Sequence, residues 1–204
     1  MLGLPASTEI KKVITKKKVY EHFAAEMSAE RRKSFDADIA RIVLMNEISP
    51  VSLNLADGDE VHAFFIMHVM LRQKDFDQKN IAFIARMFGQ HLVIVLQYED
   101  EQRLALWQTR LMMNDWISGE SVALPLNGLN MDTVWEGVVT AISGIAPEQG
   151  RTLNEQIAVS DQRAKLLKQI EKLEKQARAE KQPKRKFELV QKINKMKIDL
   201  EGEK

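Results

Sequence analysis

Hydrophobic spacing divides the chain into a β-rich stretch and a helical tail. His91–Tyr98 (HLVIVLQY) has the composition of a buried strand. The polar tetrad Glu99-Asp100-Glu101-Gln102 follows, then Arg103–Met112, which predicts a hairpin. Val61–Arg72 (VHAFFIMHVMLR) is mostly apolar on both alternating faces, which predicts a central strand covered on both sides. Its length also permits a helix. Arg41–Ile48 is a shorter apolar run, interrupted by Ser49-Pro50 because proline lacks the ladder donor. Val51, Leu53 and Leu55 alternate with Ser52 and Asn54, a half-buried strand pattern that meets a turn signal at Asp57-Gly58. Val122–Pro125 is a candidate short strand.

Helical spacing fills the gaps. Ser7 or Thr8 can cap a short helix carrying Ile10, Val13 and Ile14 on one face. Ser28 caps a second helix over about 28–40, with Glu30 in its first turn and Phe35, Ile39 and Ile42 as its stripe. Asp75 or Asp77 caps a helix over about 77–88, with Ile81, Ile84, Ala85 and Phe88 inward, ended by Gly89. Asn130 or Asp132 caps another through about Ser143. Gly144–Gly150, with Pro147, reads as a boundary. Beyond it Leu166, Ile170, Leu173 and Ala177 repeat at spacings of 4, 3 and 4, and Leu189, Ile193, Met196 and Leu200 repeat at 4, 3 and 4 again. Pro183 breaks the two. The pattern predicts an α+β body over residues 1–150, with a mixed, mostly antiparallel sheet and flanking helices. A C-terminal antiparallel helical hairpin over 151–204 follows.

Charge sharpens that division. The whole chain is +1, but residues 151–204 hold 15 Lys+Arg against 9 Asp+Glu, net +6, and residues 1–150 hold 15 against 20, net −5. An acidic body with a basic arm implies different surroundings for the two parts. The hydrophobic fraction of 45% is ordinary for a globular protein. There is no cysteine, so disulfides, thiolate metal sites and a cysteine nucleophile are excluded. The start, MLGLPASTEIKKVITKKK, lacks the order of a signal peptide, and no run approaches the roughly 18 apolar residues of a membrane span. The expectation is a cytoplasmic protein away from the membrane.

The basic arm is the main functional lead. Lys165, Lys168, Lys172 and Lys175 form a 3–4–3 row, and the tip adds Lys184, Arg185 and Lys186 among other cations. Such a row can neutralise phosphates without reading bases, or meet an acidic protein surface. It also suits a solvated helix face held by Glu171 with Lys175 and Glu174 with Arg178. Apart from Phe187, no aromatic residue interleaves the cations, which disfavours a single-strand stacking platform.

A second motif is Asp77-x-Lys79 with Asp57, Asp59 or Glu60 upstream, the acid set of a Mg²⁺-dependent nuclease. Helix capping explains the same aspartates. His22, His62, His68 and His91 read as buried, hydrogen-bonded imidazoles rather than zinc ligands. Glycine-rich phosphate loops and G-x-S-x-G are missing, and no metal or cofactor is implied.

LGLPASTEIKKVI, FDADIARIVLMNEISPVSLNLADGDEV, VIVLQYEDEQRLALW, GLNMDTVWEGVV and the lysine-rich tail together resemble a bacterial family of domains of unknown function (number 4391). The resemblance covers nearly the whole chain. Members are often encoded beside helicases and DNA methyltransferases of restriction or anti-phage systems. It implies a role near DNA or inside a defence assembly, and it brings no catalytic residues. The reading that follows is a non-enzymatic accessory or adaptor protein. Its hairpin would engage DNA phosphates or a helicase or methyltransferase subunit. The alternative is a Mg²⁺-dependent nuclease centred on Asp59, Asp77 and Lys79. A third reading is a structural subunit that homo-oligomerises through the hairpin.

Overall fold

The computed structural model describes residues 2–118, 123–148 and 150–202. Its apolar runs become strands of one sheet: β1 Glu9–Ile14, β2 Ile39–Ile48, β3 Phe64–Leu71, β4 Leu92–Tyr98, β5 Glu101–Trp107, β6 Leu111–Met113 and β7 Ile117–Ser118. The order is β1-β2-β3-β4-β5-β6, with β7 also pairing β5. β3 and β4 run parallel, and the other pairings are antiparallel. The exception has a local cause: helix α4 (Gln78–Phe88) lies between β3 and β4, and a parallel pair needs such a crossover.

Both faces of β3 are used, as its two apolar faces predict. Met67, Val69 and Leu71 join Ile94 and Leu96 in a core closed by α4 and by α2 (Ala29–Asp38), which contributes Phe35. On the opposite face, Phe64 meets Trp135 of α5 (Met131–Ser143), ring centroids 5.4 Å apart. The Trp135 indole N–H donates to Gln108 Oε1 at 2.9 Å, so its polar atom is not stranded.

Caps set the helix starts. Ser28 accepts from Arg31 N, and Asp77 accepts from Lys79 N. Asn130 forms a capping box with Thr133 at α5. Gly89 and Gly144 close α4 and α5 at φ 70° and 72°, where a side chain would strain the backbone. Asp132 does not cap α5. Its carboxylate accepts the backbone N–H groups of Asp59, Glu60 and Val61 at 2.7, 3.2 and 2.7 Å, pinning the loop before β3. Burial pushes this carboxyl up, but the three N–H donors hold it below its ordinary range. A Cβ on Gly58 would meet Asp132 Oδ1 at 2.5 Å, so the loop needs glycine there for close approach.

Several expectations are corrected. Glu9–Ile14 is a strand, not a helix capped by Ser7 or Thr8. Its Ile and Val side chains suit either state, and pairing with β2 decides. Lys11, at φ 50°, sits in a register shift between Glu9 and Lys12. A single 3-10 turn, Ala6–Thr8, precedes the strand, and the first α-helix is α1 (Lys16–His22), capped by Thr15. Ile39 and Ile42 belong to β2 rather than to the helix begun at Ser28. The Val51-Leu53-Leu55 alternation is not a strand. Pro50–Leu53 is a single helical turn, α3, with proline at its start and a Ser49–Ser52 capping box. Val51 is 92% exposed. The expected strand over 103–112 divides into β5 and β6. Residues 123–125 form no strand, and Val122 lies outside the described residues. His62 precedes β3 rather than sharing a strand face with His68.

One buried polar cluster fixes α4 against α2. Asp38, 3% exposed, accepts from Gln73 Nε2 at 2.7 Å, Asp77 N at 2.9 Å and Asn80 Nδ2 at 2.7 Å. Asn80, 1% exposed, also donates to Ser34 Oγ at 3.0 Å. A buried carboxylate with several donors avoids the large cost of an unpaired charge.

The chain divides into two compact units, Met1–Pro147 and Glu148–Lys204. The second consists of α6 (Leu153–Ala179) and α7 (Pro183–Gly202), packed on each other. Thr152 and Glu155 make a capping box at its start. α6 ends at Ala179, before Pro183, and Pro183 opens α7, where its missing N–H costs nothing. Six of the eight expected seam residues form it: Ile170, Ala177 and Ile193 are buried, with Leu173, Leu189 and Met196 packed around them, while Leu166 and Leu200 are half-buried outside this cluster.

Candidate functional site

Local helix geometry places the cations of the arm. The seam residues of α6 turn one face inward, so the 3–4–3 lysine row must turn outward. Lys165, Lys168, Lys172 and Lys175 are all exposed. Lys168, Lys172 and Lys175 line one shallow groove of about 440 Å³, together with Glu171, Gln176 and Ala179. Glu171 meets Lys175 at 2.7 Å, as its spacing predicts. The bond with Lys175 holds the Glu171 carboxyl below its ordinary range. Glu174 turns to Lys197 of α7 at 2.8 Å, rather than to Arg178, and so ties the two helices together.

At the hairpin tip, Lys181, Arg185 and Lys192 line a wider cleft of about 900 Å³ with Glu180, Glu188 and Leu189. Of the predicted tip cations, Arg185 lines this cleft. Lys184, Lys186 and the more distant Lys165 are exposed outside both depressions. The arrangement is a row of solvated positive charges along one helix face, beside open grooves. It can hold a line of negative charge.

The acidic motif is not assembled. Asp77 spends its side chain capping α4, at 2.9 Å from Lys79 N. Asp59 lies in the loop that precedes β3, and Asp77 follows the other end of that strand. The length of β3, roughly 23 Å of extended chain, separates the two loops. Among the described residues, no group of three or more His, Asp or Glu is placed to hold a metal ion.

Two histidine expectations are corrected. His22 and His62 are exposed, and His62 Nδ1 lies 3.1 Å from the Asp57 carboxylate. His91 packs edge-on to Trp135 at 4.8 Å, and burial lowers its pKa. Burial also lowers that of His68, despite a hydrogen bond with the Gln97 side chain. His68 Nε2 is buried without a partner, beside a cavity of about 400 Å³ between Leu2–Lys11 and the sheet.

Sequence reasoning missed three features. The Asp38–Asn80 cluster and the Asp132 loop anchor join residues 42 and 71–73 apart, and no local signal announces them. The third, a second apolar stripe on α7, was legible: Phe187, Val190 and Ile198 follow helical spacing outside the seam, and all three are exposed.

Together these features define an α+β protein with a cation-lined helical hairpin. The chain belongs to the family described as Domain of unknown function (DUF4391), whose family model matches residues 2–200. No curated protein and no solved structure matches the chain. Among the described residues, no helix is long and apolar enough to cross a membrane.

Proposed function

We propose that this protein is a non-enzymatic accessory or adaptor subunit of a bacterial restriction-like or anti-phage defence system, working in the cytoplasm. The α+β body is the scaffold, and the hairpin is the docking element. Its target is a negatively charged surface, either a nucleic-acid backbone or a co-encoded helicase or methyltransferase subunit. One observation carries the reading: Lys168, Lys172 and Lys175 line a single exposed groove on α6, at the spacing that keeps cations on one helix face. The net charge of +6 over residues 151–204 supports it, because attraction to a polyanion sums over the whole arm.

The test is a pair of charge reversals in the full chain: Lys168→Glu, Lys172→Glu and Lys175→Glu together in the groove, and Lys184→Glu, Arg185→Glu and Lys186→Glu together at the tip. Binding to duplex DNA and to the co-encoded subunits at low salt should weaken at least tenfold. Tryptophan fluorescence from Trp107, Trp116 and Trp135, all in the body, should stay unchanged. Undiminished binding to every target in both variants refutes the docking role of the arm. Nicking of plasmid with Mg²⁺ or Mn²⁺ that disappears in Asp77→Asn would favour the nuclease reading instead.

A further inference from the structure

α7 carries two apolar stripes. Leu189, Ile193 and Met196 face the seam with α6. Phe187, Val190 and Ile198 do not: they are 62%, 40% and 68% exposed. With Asn194 they fall within an arc of about 80° on the helix, at about 100° per residue. Lys184 and Lys195 edge this arc on one side and Lys186 on the other, and all three are exposed. The stripe runs about three turns, roughly 16 Å.

This mixture discriminates between occupants. A phosphodiester backbone satisfies lysines but offers no apolar surface to Phe187 or Ile198. A second copy meeting this face arm to arm would set one net charge of +6 against another, and like charges oppose that contact. An acidic amphipathic helix answers both halves, with apolar side chains over the stripe and carboxylates toward the flanking lysines. We propose that the Phe187–Val190–Ile198 face of α7 docks a three-turn acidic amphipathic helix of a partner protein. The inference rests on the adaptor reading and selects its protein branch.

The test places a photoreactive benzophenone side chain at position 187 of the full chain, expressed in the native host. A second benzophenone chain, at exposed Gln169 on α6, is the control. After irradiation, the adduct from position 187 should map to a helical segment of another protein with acidic flanks. Ile198→Glu should lower its yield at least tenfold, with helicity at 222 nm unchanged. An adduct on DNA overturns the inference and leaves the adaptor reading standing through nucleic acid. An adduct on a second copy overturns it in favour of a homodimer. Yield no higher than at position 169 overturns it too. If the groove and tip reversals also leave all binding unchanged, the adaptor reading falls with it.

Discussion

In the body, Phe35, Ile39, Phe64, Ile94 and Leu106 reach 0% exposure, and a central strand is covered on both faces. Along the α6–α7 seam, Ile170, Ala177 and Ile193 each remain 6% exposed, and α7 leaves a phenylalanine and an isoleucine mostly in water; Ile157, which reaches 0% near the start of α6, lies outside that seam cluster. The body has layers on two sides of a sheet, so it can enclose whole side chains. Two helices have one seam, and a seam cannot surround a side chain. The body's stability therefore comes from volume-filling contacts, and the hairpin's from a narrow strip assisted by a cap and ion pairs. A region that leaves apolar and cationic groups together in solvent is also where a partner gains most by docking.

The comparison breaks first at Phe35. Its ring packs against Tyr20 and Phe83, with centroids 6.0 and 6.4 Å away. Phe35→Ala should cost about 3–5 kcal/mol, a large part of a typical domain's stability. Urea titration followed by tryptophan fluorescence reads it. A loss under about 1 kcal/mol would mean that α2 is not integral to the core.

Ile193→Ala should cost about 2 kcal/mol, the low end for such a truncation, because the seam can relax. The thermal loss of signal at 222 nm should move to lower temperature while tryptophan fluorescence at 25 °C is unchanged. If the fluorescence changes as well, body and hairpin fold as one cooperative unit.

The smallest effect is that of pH. His68 and His91 both have pKa values lowered by burial, so the folded body favours their neutral forms. As pH falls below about 6.5, the unfolded chain takes up these protons more readily, and stability declines. Asp36, whose carboxylate accepts from Lys16 Nζ at 2.8 Å, and Asp132, with its three N–H donors, have lowered pKa values, so they contribute stability above their ordinary range near 3.8 and lose it only at more acid pH. The urea midpoint should therefore drop modestly from pH 7.5 to pH 5, and the drop should shrink in His68→Gln. A midpoint insensitive to pH in that window would show that neither imidazole is desolvated.

Legibility in the sequence tracked the range of the interactions. Helix α4 was largely readable: Asp77, one of two candidate caps, caps it, Gly89 ends it, and Ile81, Ile84 and Ala85 point inward, though the buried Asn80 and Phe83 were not foreseen. The seam of the hairpin was readable because its spacing repeats on both sides of one proline. The candidate site was readable as charge, since Lys168, Lys172 and Lys175 share a face by arithmetic alone. Glu9–Ile14 was not, because two Ile and a Val fit a short helix as well as an edge strand. Pro50–Leu53 failed for the opposite reason. Its alternation suggested a strand, but the Ser49 capping box and Pro50 settled a helical turn.

By itself, the sequence determined much of what one helix or strand decides locally: the Ser28 cap, the buried β4, most of the seam and the row of lysines. Tertiary structure decided what depends on a distant neighbour. It paired β1 with β2, gave Asp38 and Asp132 their donors, kept Asp59 apart from Asp77, and left Phe187 and Ile198 in solvent. Periodicity reports only which way a side chain faces along its own element. What stands opposite that face is set by chain folding over tens of residues.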